Sequence, residues 1–113
     1  MSFKIKSNGT KKNIVRVDDF KMMNVDLGSI SALKPNEATP NIDVDLTSTI
    51  GAGYKIISCH MGFMNVPYAR VISMIPNGDL GIRYRVLNDH TEDISDIHVY
   101  ASVLAIKITG GGA

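Results

Sequence analysis

One stretch, NIDVDLTSTIGAGYKII at residues 41–57, constrains the fold more than any other. Ile42, Val44 and Leu46 alternate with Asn41, Asp43 and Asp45, so one face is apolar and the other polar. A period of two is the mark of a half-buried strand. Thr47, Ser48 and Thr49 keep β-propensity while the chain becomes polar, and Ile50 drops back toward a core. Gly51-Ala52-Gly53 then lets the backbone turn with positive φ, and Lys55-Ile56-Ile57 opens the next strand. The stretch reads strand, corner, strand.

The rest of the chain repeats this pattern. Residues 3–6 alternate as a short strand, Asn8-Gly9 marks a tight turn, and residues 14–17 return as a strand. Residues 22–27 read as a strand, with residues 29–33 as another or as its continuation past a bulge. Residues 34–40, flanked by two prolines, read as a loop. Residues 54–61 follow, with Ile57 and Cys59 on one face and Ile56 and Ser58 on the other. Residues 62–67 read as a connecting loop. Residues 68–75 are a Val- and Ile-rich strand, and Pro76-Asn77-Gly78-Asp79 is the clearest turn signal. In residues 80–87, Leu80, Ile82, Tyr84 and Val86 point inward and Arg83 and Arg85 outward. An acidic loop at 88–95 precedes the last strand, residues 97–108. About eight short strands separated by Gly, Pro and Asn corners predict an all-β fold, an antiparallel, jelly-roll-like β-sandwich. One domain is expected: N-terminal strands or an attachment segment at 1–33, the sandwich core at 34–109 and a flexible tail at 110–113.

Charge and composition narrow the function. Twelve basic residues balance 11 acidic ones, which argues against nucleic acid as the main partner. No apolar run approaches the roughly 18 residues of a membrane span. Residues 1–12 lack the apolar centre of a secretory signal. Cys59, the single cysteine, sits in an apolar run and reads as a small buried hydrophobe. His60 beside it would face the opposite way on a strand. No G-x-S-x-G, H-E-x-x-H, phosphate-loop or dinucleotide fingerprint occurs. His90 with Asp89, Glu92 and Asp93 lacks the spacing of a calcium loop and reads as a solvated acidic loop. His98 reads as a structural residue. Asp43 and Asp45, two apart on one strand, read as a solvated face rather than a catalytic pair. The chain is therefore read as a non-enzyme, without catalytic residues, metal or cofactor. Tyr68, Arg83 and Arg85 are the candidate ligand-binding residues, because Tyr and Arg are the types enriched at recognition surfaces.

The last strand adds an expectation of self-association. Ile97, Val99, Ala101, Val103 and Ala105 line one face; Tyr100, Leu104, Ile106 and Ile108 line the other, with His98 and Ser102. A strand apolar on both faces needs cover on both sides. A sandwich has one interior, so the second face, Tyr100, Leu104, Ile106 and Ile108, is predicted to meet another subunit. The fallback is that residues 22–33 fold over it.

Residues 33–108 resemble the C-terminal β-sandwich of bacteriophage tail, baseplate and fibre proteins. The resemblance rests on Asp45-Leu46-Thr47-Ser48, then Ile50-Gly51-Ala52-Gly53-Tyr54-Lys55, then Pro76-Asn77-Gly78-Asp79-Leu80 and the apolar last strand. It implies a virion protein made in the host cytoplasm, a homotrimer in contact with other virion proteins, and binding of a host-surface carbohydrate. Residues 1–30 lack the collagen-like or coiled-coil shaft that usually precedes such a knob. A structural decoration or neck protein, acting only in assembly, is the alternative.

Overall fold

The fold is built around its last strand. In the computed structural model, which describes residues 19–108, β6 (Ile94–Lys107) is the centre of a three-stranded antiparallel sheet, sheet I. β1 (Phe20–Leu33) pairs along one edge of β6 and β3 (Tyr54–Met64) along the other. A second antiparallel sheet, sheet II, centres on β5 (Gly81–Asn88), flanked by β2 (Ile42–Asp45) and β4 (Ala69–Pro76). The expected all-β, two-sheet antiparallel architecture is what the chain adopts, with six strands among the described residues. The strands read at 3–6 and 14–17 lie outside the described residues.

Alternation decides which faces meet. Ile97, Val99, Ala101, Val103 and Ala105 of β6 are buried, as are Ile82, Tyr84 and Val86 of β5. These faces, with Val25 and Leu27 of β1 and Ile56 of β3, form one core between the sheets. The Tyr84 hydroxyl crosses that core to the Leu27 carbonyl, 3.5 Å away. β1, read as part of an attachment segment, thus supplies Val25, Leu27 and Leu33 to the interior.

Bulges set the details. β1 runs continuously through one between Asp26 and Ser29, where Gly28 takes φ 95° and donates its N–H to the Asp26 carboxylate at 2.8 Å. β3 has two bulges. The first inserts Ile57, so Ile56 and Cys59 both face the core, opposite Ala105 and Val103, while Ile57 is exposed. The alternation read for 56–59 is corrected accordingly: an inserted residue shifts the facing of everything after it. The second bulge, at Gly62, lets β3 continue to Met64, where a loop was read.

The corner after β2 also differs from expectation. Residues 47–50 form a single helical turn, α1 (Thr47–Ile50), rather than extended chain. The Asp45 carboxylate accepts both the N–H of Thr47 (2.9 Å) and its hydroxyl (2.6 Å), an Asx-type turn that overrides the β-propensity of threonine. Gly51 at φ 108° and Gly53 at φ 93° end the turn and lead into β3, as the glycine spacing predicted. Lys21 donates to the Ile50 carbonyl at 2.6 Å and lies 4.3 Å over the Tyr54 ring, tying β1 to this corner.

The loop at 34–40 is stitched to β5. Thr39 N–H donates to the Val86 carbonyl at 2.8 Å, and Val86 N–H returns a bond to the Thr39 hydroxyl at 3.0 Å. Ala38 bridges Leu87, so the chain already runs beside β5 before β2 begins.

Candidate binding face

The two sheets turn very different outer faces to solvent. On sheet II, Arg83 grips Asp43 through Nε at 2.7 Å and a second guanidinium nitrogen at 3.2 Å. Asn77 donates to the same carboxylate at 3.1 Å. The Arg83 guanidinium holds the Asp43 carboxyl below its usual range, and Asp43 in turn raises Arg83. Arg85 Nε donates to the Thr39 carbonyl at 2.9 Å, and Arg70 lies 3.5 Å from Asp89. This sheet face pairs its charges, and it also exposes Ile72 and, opposite Arg83, Ile75. A hollow of about 290 Å³ at its corner is lined by Asp43, Asp45, Thr47 and Asn77. Its two carboxylates are already held, Asp43 by Arg83 and Asn77, and Asp45 by Thr47.

Tyr68 stands apart from both arginines. The residue is 53% exposed, and its ring stacks on His90 at a 4.2 Å centroid distance. It precedes Ala69, which pairs with Asn88, so Arg83 lies roughly 17 Å away along β5 by strand geometry. The structure therefore does not bring Tyr68, Arg83 and Arg85 to one place. Among the described residues no three His, Cys, Asp or Glu side chains gather as metal ligands. Cys59 is half-buried, and burial pushes its thiol up, away from the reactive thiolate. His60 faces the opposite side, opposite Ser102, as the alternation required.

The outer face of sheet I is laid out in rows by strand register. Phe20, Ile106 and Lys55 form the first row; Met22, Leu104 and Ser58 the second. Asn24, Ser102 and His60 form the third; Asp26, Tyr100 and Phe63 the fourth. The first two rows are mainly apolar, and the last two mix aromatic and polar groups. Met22 is 82% exposed and Phe63 59%; Leu104, Ile106 and Tyr100 are half-buried. Ile108, past the strand end, is exposed. β1 does not fold over this face. It pairs edge-on with β6 and widens the sheet, so the fallback cover by residues 22–33 does not occur.

The polar end of the face is internally bonded. His98 Nε2 lies 2.6 Å from the Asp26 carboxylate, and its ring stacks on Tyr100 at 4.9 Å. Phe63 tilts against Tyr100 at 6.0 Å. Hydrogen bonds from the Gly28 N–H and the His98 ring hold the Asp26 carboxyl below its usual range. The Ser102 hydroxyl donates to the Asn24 side-chain oxygen at 2.9 Å. Beside them runs a groove of about 400 Å³ lined by Asn24, Gly62, Phe63 and Tyr100. The groove exists because residue 62 is glycine: a Cβ there would stand 2.9 Å from the Ser102 hydroxyl. Gly62 and Phe63 on β3 were missed from sequence because 62–67 reads as a loop, and Asn24 because only strand register brings β1 beside them. A glycine inside an apolar run is the available signal, since it marks a bulge. Compared with protein-family models, with curated proteins and with solved structures, the chain matches none.

Proposed function

We propose that the chain is a non-enzymatic virion-type structural subunit that self-associates through the outer face of sheet I. The observation that carries this is the contrast between the two outer faces. Sheet II pairs its Arg83 and Arg70 charges within one chain and exposes Ile72 and Ile75 beside them, whereas sheet I presents exposed Met22 and Phe63 with half-buried Leu104 and Ile106 on one side, which no other described strand crosses. Contiguous apolar patches of several hundred Å² mark interaction surfaces. Burying them gains roughly 25 cal/mol per Å² before association costs. The bacteriophage-type resemblance favours three-fold closure, a homotrimer with Tyr100, Leu104, Ile106 and Ile108 at the interface and other virion proteins around it.

The test is light scattering on the wild type and on Leu104→Asp and Ile106→Asp. The wild type is expected to be a homo-oligomer at micromolar concentration. Each aspartate dissociates it, because a carboxylate would be buried without a partner. A monomeric wild type overturns the reading. A second reading, host-surface carbohydrate recognition, is favoured by one observation: the exposed Tyr68–His90 stack beside Arg70 and Asp89. An aromatic face with flanking hydrogen-bonding groups suits a sugar ring. Binding on a glycan array that Tyr68→Ala abolishes supports this second role, and a blank array removes it.

A further inference from the structure

The outer face of sheet I carries both a protrusion and a recess. Met22 is the most exposed large hydrophobic residue among those described, at 82%. The groove lined by Asn24, Gly62, Phe63 and Tyr100 lies on the same face. Met22 is plainly not lying in its own groove. It stands in the row of Leu104 and Ser58, while Phe63 stands two rows on, in the row of Tyr100. Two strands across and four residues along place their Cα atoms about 16 Å apart by strand geometry.

We propose that the groove receives Met22 of a second copy of this chain. The proposal rests on the reading of this face as the assembly surface and names its interlocking contact. Size fits a second copy. Three strands of about ten residues give a face of roughly 500 Å² in flat projection, and its relief raises the accessible area toward the ~800 Å² per partner of a stable protein interface. Charge fits too. Within the four rows the one carboxylate, Asp26, is bonded to His98, and the one ammonium, Lys55, stands at the opposite end. An approaching copy therefore meets no like-charge cluster. Chemistry fits the occupant: an unbranched thioether fills an irregular recess and packs well against the Phe63 and Tyr100 rings. Gly62 keeps that recess open, since a side chain there would press on Ser102 and Asn24.

The contact joins two different patches, so it can be trapped between chains and not within one. In a Cys59→Ser background, Met22→Cys with Phe63→Cys cannot close inside one chain, because disulfides need Cα atoms within about 7 Å. The double variant is expected to form covalent oligomers on mild oxidation, while either single cysteine stays uncrosslinked. Met22→Ala, at an exposed position, should leave the monomer's melting temperature unchanged and weaken self-association at least about tenfold. If the wild type associates but the double variant does not crosslink and Met22→Ala associates normally, the groove contact is wrong and the assembly face stands. If the wild type is monomeric, both fall.

Discussion

Asn88 shows how much one side chain can hold. It is fully buried in β5. Its amide donates to the Leu33 carbonyl at 3.0 Å and the Glu92 carbonyl at 2.9 Å, and its oxygen accepts the His90 N–H at 2.8 Å. One residue thus pins the end of β1 and the loop before β6. Asn88→Leu should cost about 2–4 kcal/mol, because it strands buried backbone carbonyls and overpacks the site. An unchanged urea midpoint would show the hub to be redundant. At Gly51 and Gly53, both at positive φ, valine should cost about 1–3 kcal/mol through backbone strain. Two unchanged melting temperatures would refute that account of the corner. The carboxylates set the acid limb. Asp26, Asp43 and Asp45 are all held below the usual carboxylate range, chiefly by the Gly28 N–H, by Arg83 and by Thr47 respectively. A depressed folded pKa stabilises fully above the unfolded value and is lost as pH falls through the folded one. The melting temperature should therefore be level from neutral pH down to about 5 and decline below about 4. Asp43→Asn should shallow that decline; an identical acid limb would mean the Arg83 pair contributes nothing to it.

At the scale of elements, β6 separates two kinds of apolar residue that look alike in the sequence. Ile97 is fully buried between the sheets, whereas Leu104 lies on the outer face. Ile97→Ala should cost about 2–5 kcal/mol by leaving a cavity. Leu104→Ala should change the stability of the monomer little and weaken association instead. Urea denaturation of both variants, run at a concentration where the chain is monomeric, checks this. Equal losses would mean that Leu104 belongs to the core. Strand β3 makes the complementary point. Its bulges at Ile57 and Gly62 expose Ile57, turn Cys59 inward and open the groove, so its face assignments come from β6, its hydrogen-bonded neighbour, and not from its own alternation.

At the scale of the whole molecule, the described residues stack as two sheets, which sit about 10 Å apart in such packings. Strands of 14, 14 and 11 residues in sheet I outrun those of 4, 8 and 8 in sheet II. Two stacked sheets enclose one interior and leave two outer faces, so the longer strands of sheet I carry the larger outer face.

By itself the sequence determined the class of fold, the turn at 76–79, the glycine corner and the two-faced last strand. Period-2 alternation and turn chemistry are local, and local pattern suffices for them. It also showed that Cys59 and His60 diverge, because neighbours on a strand must. Only the tertiary structure decided that residues 47–50 coil rather than extend, since an Asp45 hydrogen bond there outweighs propensity. Only pairing with β6 decided the facing of Ile56, Ile57 and Cys59 and the extension of β3 to Met64. The outer face of sheet I is assembled from β1, β3 and β6, far apart in sequence. No local pattern places Met22, Gly62 and Tyr100 on one surface; strand register does.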